Sequence, residues 1–243
     1  MYSTRLLLPR VRMLATVAIL TMGAGLASAD PPDGAHSTIP AFIRLGGAQT
    51  LAGNPDPTIE FTIWYRDFLN NPVVGGVIEV NFSNCSDTRL CTAVVGGYEV
   101  DCSSRSVRGV TDTGGQVHMS ILGASTNAGI TVPPAIAAGA GSGCIRVYAD
   151  GVQLGTVTAV VYDQNGALPG GSGVNGLDLA IAKNDAGAYA LGAPYRGRTD
   201  YTWDGSVNGA DLAALKGYVG QSALGLGSGA GCAGGGSTQP YCP

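Results

Sequence analysis

Charge is scarce in this chain. Only 12% of its residues are Asp, Glu, Lys or Arg, and acids outnumber bases 17 to 13. A nucleic-acid binder needs a basic face for phosphate contacts, so this balance argues against one. Histidine is almost missing, with two in 243 residues. His36 lies in a loose segment near the mature terminus, and His118 sits in a strand-like run where a surface role is the ordinary reading. No G-x-S-x-G, H-E-x-x-H or phosphate-binding glycine loop occurs. No close Cys-x-x-Cys pair occurs, and both histidines are distant from the cysteines, which argues against zinc. Beyond an N-terminal apolar stretch, no segment is long and apolar enough to span a bilayer. No catalytic constellation, nucleic-acid partner or membrane span of the mature chain is therefore expected.

The N-terminal stretch has the form of a secretion signal. Arg5, Arg10 and Arg12 precede an apolar run from Met13 to Leu26, and Ala27-Ser28-Ala29 is an A-x-A cleavage site before Asp30. Residues 1–29 hold three bases and no acid, so removing them leaves 10 basic against 17 acidic side chains. The expected product is exported, extracellular or at the cell surface. Glycine is abundant, at 39 residues. With plentiful apolar and β-branched residues beside it, this suits a turn-rich β protein and not a disordered one. Six cysteines in an exported chain predict disulfides. Fifteen pairings are open; proximity favours Cys85–Cys91 and Cys232–Cys242, leaving Cys102–Cys144 as a long-range link.

From about 38 to 162 the chain reads as short strands between turn residues. Thr58–Tyr65, Val77–Phe82, Gln116–Leu122, Cys144–Tyr148 and Thr156–Tyr162 are the clearest, with Ala41–Leu45 and Tyr98–Val100 as further candidates. Seven or eight strands without an intervening helix predict an antiparallel sandwich. Residues 30–37 are expected to be a flexible lead, and 221–243 a Gly-rich tail pinned by a Cys232–Cys242 loop. Two phrases sharpen the sandwich reading. Asp67-Phe68-Leu69-Asn70-Asn71-Pro72-Val73-Val74-Gly75 precedes one strand, and Thr111-Asp112-Thr113-Gly114-Gly115 opens another; both are turn formers. Together they resemble the invasin-type bacterial immunoglobulin-like domain, and imply its fold.

The most informative stretch is Asp200-Tyr201-Thr202-Trp203-Asp204-Gly205-Ser206-Val207-Asn208-Gly209-Ala210-Asp211. Oxygen side chains stand at loop positions 1, 3, 5, 9 and 12, and glycine at position 6, where a calcium loop turns sharply. Asp200, Thr202, Asp204, Asn208 and Asp211 are the candidate side-chain ligands, with Ser206 offering its carbonyl. Upstream, Val174-Asn175-Gly176-Leu177-Asp178-Leu179-Ala180 realigns with Val207–Ala213 at an offset of 33, which Lys183 and Lys216 keep. Internal repetition of this kind marks a duplicated unit. Each copy leads into an apolar-periodic run, Leu179 and Ala182 in the first, Leu212, Leu215 and Val219 in the second, predicting loop then helix twice.

These residues resemble the type I dockerin family over about Tyr162 to Gly220, so 163–220 is expected to be a small helical calcium-binding module. The first copy departs from the family pattern. Asp163 begins it, but the loop is four residues wider and lacks an acid at position 5. Asp163, Asn165, Asn175 and Asp178 are its candidate ligands. The resemblance implies calcium as cofactor, with one ion in the second loop; the first loop either holds a second ion or is a Gly-rich turn that keeps the fold without metal. It also implies docking to a cohesin-type domain on a scaffold or cell surface, in extracellular polysaccharide degradation. The docking residues it implies are Gly176, Leu177 and Lys183 in the first copy and Gly209, Ala210 and Lys216 in the second; the small Gly-Ala pair is unusual for the family.

Two other readings stay open. In one, the protein is structural or adhesive and calcium only stiffens the C-terminal module. In the other, Glu60, Glu79 and Glu99 gather as a glycan-cleaving set, or Trp64, Tyr65 and Trp203 offer a sugar-stacking surface.

Overall fold

The computed structural model describes residues 31–46, 59–85, 88–91, 98–125, 143–164, 174–191, 197–222 and Cys242. The strands among them are β1 (Phe42–Gly46), β2 (Phe61–Trp64), β3 (Val77–Asn81), β4 (Thr88–Leu90), β5 (Glu99–Asp101), β6 (Ser106–Val110), β7 (Gln116–Met119), β8 (Ile121–Ser125), β9 (Ile145–Ala149) and β10 (Val152–Val161). Helices α1 (Gly176–Ala190) and α2 (Gly209–Ser222) follow, with a 3-10 turn at Gly197–Thr199 between them. The protein is thus mainly β with two C-terminal helices, as the patterning predicts. The signal segment, Asn165, Cys232 and nearly all of the Gly-rich tail lie outside the described residues.

The plain antiparallel sandwich does not form. An eight-stranded mixed sheet, in the order β4-β8-β1-β10-β9-β3-β6-β5, curls into a half-barrel, and β2 and β7 make a separate two-stranded ladder. Strand β1 is parallel to both its neighbours, pairing Phe42 with Thr158 and Leu45 with Ile121. One cause is Ser120. The expected strand Gln116–Leu122 breaks there, so that β7 pairs with β2 while β8 pairs with β1 and β4. A second cause is burial on both faces. Every residue of β8 is buried, as are Ala159–Val161 at the end of β10. Parallel neighbours characteristically have both faces covered.

Two cores flank this seam. Ile43, Leu45, Ile121, Val157, Ala159 and Val161 face inward with Ile78, Val80, Val147, Ile63 and Met119. Leu122, Val160 and Tyr162 face the other way and join Val174, Ala182, Tyr201 and Leu215 from the helical region. The period-2 alternation of strand side chains makes this division. Burying a Leu or Ile side chain contributes roughly 1.5–3 kcal/mol, so the second core binds the helices to the sheet.

The two turn phrases meet in space. Thr111 Oγ1 accepts from Gly76 N (2.9 Å) and donates to the Val73 carbonyl (2.7 Å). The Asp67 carboxylate accepts from the backbone N–H of Leu69 and Asn71, closing the turn in which Asn70 takes a positive φ of 65°. Gly115, at φ 71°, presses against the Tyr65 carbonyl and Pro72, where a Cβ would come within 3.0 Å of three atoms. Residues 31–37, expected to be a flexible lead, are instead tied to β2: Pro32 bridges Asp67, Thr38 bridges Trp64, and Ser37 Oγ bonds the Arg66 carbonyl.

The cysteine pairing corrects the expectation from proximity. Cys85 pairs with Cys144 and Cys102 with Cys242. Cys91 is also disulfide-bonded. Short sequence separation is a poor guide because strand neighbours are set by topology. Here Cys85, just after β3, lies beside Cys144, just before β9, because β3 and β9 are antiparallel partners. Cys242 is buried, and its N–H donates to Leu90 O, so the C terminus is fastened onto the β-domain. Disulfides fit an oxidising, extracellular compartment. Among the described residues no helix is long and apolar enough to cross a membrane.

Candidate metal centre

Asp200, Asp204 and Asp211 bring one carboxylate oxygen each to within 4.8 Å of one another. Local sequence makes this happen. Asp200 follows the 3-10 turn, and its carboxylate accepts from Asp204 N (3.2 Å) and Gly205 N (2.9 Å), curling the loop back on itself. Gly205 permits the curl with φ at 84°. Asn208 caps α2 by accepting from Ala210 N at 2.8 Å. The Asp211 carboxylate reaches back to Asn208 N (2.8 Å) and across the loop to Thr202 N (2.9 Å). Thr202 Oγ1 stands between acids, 3.0 Å from Asp211 Oδ1 and 3.5 Å from Asp200 Oδ1. Ser206 N and Asn208 Nδ2 both bond Asp204.

Asp200 and Asp211 are fully buried, while Asp204 faces solvent. Three carboxylates this close repel one another, and a cation among them removes that cost. The groups gathered here offer only oxygen: three carboxylates, with the Thr202 hydroxyl beside two of them. That chemistry suits a hard divalent ion of high coordination number, calcium above zinc or copper. The group can therefore hold a metal ion, with Asp204 on the side open to water.

The first copy is built differently. Asp178 is buried, and both its oxygens take backbone donors, Gln164 N at 2.7 Å and Asn175 N at 2.8 Å. With Asn175 accepting from Leu177 N, this is a full capping box for α1. Asp163, next to Gln164 in the chain, is buried too. No third acid joins Asp163 and Asp178 in a metal-type group among the described residues. Gln164 donates through Nε2 to Val161 O and to Tyr201 Oη.

The expected docking residues are accessible. Gly176, Leu177 and Lys183 on α1, and Gly209, Ala210 and Lys216 on α2, are all exposed. Of the glycan-site residues, Glu79 and Glu99 share Arg108, and Glu60 lies apart beside His118. Glu79 pairs with Arg108 at 3.0 Å, Glu99 lies opposite Arg108 on β5, and Glu60 lies 3.8 Å from His118. Tyr65 is buried with its hydroxyl on Asp150, Trp64 lies beneath Arg66, and Trp203 packs on Phe42. A groove of about 980 Å³ opens beside β6 and β7, with Tyr98, Glu99, Arg108, Gln116 and His118 in its walls. None of its lining residues belongs to the acidic loop.

The sequence reading missed what supports the loop from behind. Tyr201 stacks on Tyr162 with ring centroids 5.3 Å apart, and its carbonyl accepts from Arg44 (3.3 Å). Arg198 is fully buried and donates to Ser125 Oγ. Ser125 N in turn donates to Asp163 O. Aromatics at loop positions 2 and 4 were the available signal. No protein-family model, no curated protein and no solved structure matches this chain.

Proposed function

We propose that this is a secreted, non-catalytic modular protein whose C-terminal helical unit binds calcium through Asp200, Thr202, Asp204, Ser206, Asn208 and Asp211. The single observation carrying this reading is the ring formed by Asp200, Asp204 and Asp211 at the start of α2. Calcium would neutralise the acids and fix the N-terminal turn of α2. It supplies a compact positive charge; the chain supplies the oxygen donors. The loaded unit then presents Gly176, Leu177, Lys183, Gly209, Ala210 and Lys216 to a cohesin-type domain on a scaffold or cell surface, in extracellular polysaccharide degradation. The exposure of all six residues supports that surface.

Calcium titration by calorimetry on the oxidised mature chain tests the first half. Binding heat, absent in Asp204→Ala, is expected. Immobilised cohesin tests the second half: capture in calcium and release in chelator are expected, and binding heat without capture would leave calcium but not docking.

One observation favours a structural or adhesive role instead. Phe68, Leu69 and Val74 are 50%, 61% and 59% exposed on the braced turn after β2. Large apolar side chains left exposed on one short segment favour a contact site. Loss of cell or matrix binding in a Phe68→Ser, Leu69→Ser variant, with calcium binding intact, would select this reading.

A further inference from the structure

We infer that the acidic loop is a two-faced latch: a calcium ion on one face holds the helical unit onto the β-sheet through the other. This rests on the calcium binding proposed above, and adds where the binding energy goes. The loop alternates. Odd positions Asp200, Thr202 and Asp204 carry the oxygens. Even positions Tyr201 and Trp203 turn the opposite way, Tyr201 buried and Trp203 partly buried in the core shared with the sheet. Tyr201 stacks on Tyr162 at the end of β10 and hydrogen-bonds Gln164. Trp203 lies 4.9 Å from Phe42 on β1, ring to ring. Arg44, two residues along β1, donates to the Tyr201 carbonyl and lies over the Phe42 ring.

The backbone shows that both faces act on one conformation. Trp203 has a φ of 57°. A bulky residue rarely adopts that region and is held there only when its surroundings over-determine it. Here Phe42 constrains it from the sheet side and the oxygen ring from the other. Fixing the odd positions with a metal therefore fixes the even ones, and sheet packing raises metal affinity in return, since such coupling is reciprocal. The contacted strand lies at the parallel seam, between β8 and β10, with the main core on its far face. An opening that releases the ion also uncovers β1.

The test is amide hydrogen exchange on the oxidised mature chain, in chelator and in calcium at about 100 times its dissociation constant. Amides of Ile43, Leu45 and Val160 that exchange through the shared opening are expected to slow about 100-fold. Trp203→Ala, which removes no ligand, is expected to weaken calcium binding by about 5-fold or more, whereas Trp64→Ala leaves it unchanged. Binding heat with unchanged exchange at these amides overturns the latch and leaves the calcium reading standing. Absence of binding heat overturns both. The exchange comparison needs no variant, so it decides the matter even where Trp203→Ala fails to fold.

Discussion

Two acids of the same ring have different surroundings, so neutralising each should have a different effect. Asp211 is fully buried, and its carboxylate accepts from Thr202 N, Thr202 Oγ1 and Asn208 N at 2.8–3.0 Å. Asparagine keeps one acceptor oxygen and turns an NH2 toward a backbone N–H. At least one donor then loses its partner, at about 1–3 kcal/mol. The surviving bond also loses its charge assistance, while relief of the repulsion among the three acids offsets part of the loss, so Asp211→Asn is expected to cost about 1–3 kcal/mol without any metal. Asp204 is exposed and accepts only from Ser206 N (2.9 Å) and, weakly, Asn208 Nδ2 (3.5 Å). Asp204→Asn can keep the first bond, so in chelator it should cost under about 1 kcal/mol. In calcium at 100 times the dissociation constant, the parent gains about 2.7 kcal/mol, and Asp204→Asn should forfeit most of that gain. Urea unfolding of the oxidised mature chain, with and without chelator and at constant m, measures all these quantities. If Asp204→Asn keeps the full calcium increment, the ring is not a metal centre. If Asp211→Asn costs no more than Asp204→Asn in chelator, the capping argument is wrong.

Three further outcomes are expected. Gly115→Ala combines a disfavoured positive φ with contacts to the Tyr65 carbonyl and Pro72, and should cost about 2–4 kcal/mol in urea unfolding; a neutral result would mean this turn is looser than described. Burial and a hydrogen bond to Asp150 push the Tyr65 phenol upward, and burial does the same to Tyr201. Both favour the neutral phenol in the folded state, so their stabilisation is complete below the ordinary tyrosine value of about 10 and is lost as pH rises beyond it; absorbance of the mature chain at alkaline pH should show these two tyrosines ionising only with unfolding, and smooth titration of every tyrosine before unfolding would refute this. Replacing both Cys102 and Cys242 by alanine removes a bridge spanning 140 residues and should cost about 3–5 kcal/mol in the chain-entropy model, with an unchanged melting temperature as the contrary result.

What the sequence made legible was local. The repeat predicts loop then helix twice, and α1 and α2 start where it places them, each capped by an Asn and an Asp three residues apart, Asn175 with Asp178 and Asn208 with Asp211. Ile78 and Val80 alternate with Glu79 and Asn81, and β3 forms with that in–out pattern. What stayed hidden was long-range. Thr88–Leu90 and Ser106–Val110 are short and polar enough to resemble loops, yet each becomes a strand because a partner is waiting for it. Ser120 looks like one polar position in an alternating run, but it is where the chain leaves one sheet for another. The disulfides followed the same logic, since strand neighbours decide which sulfurs meet.

The resemblance implies a small helical module over 163–220, and the packing ties that region to the β-domain. A free-standing unit of about 58 residues would bury its apolar side within itself, and small domains are marginal for that reason. Here Val174, Ala182, Tyr201 and Leu215 share one core with Ile59, Cys91, Leu122, Val160 and Tyr162 of the β-domain. Position-by-position matching sees the odd residues of the loop, because metal chemistry constrains them. It passes over Tyr201 and Trp203, which no ligand rule mentions, although they are the largest side chains in the loop. Their size is the clue. A loop that only held an ion would have no use for two aromatic rings, and a loop that joins an ion to a sheet needs them on its other face.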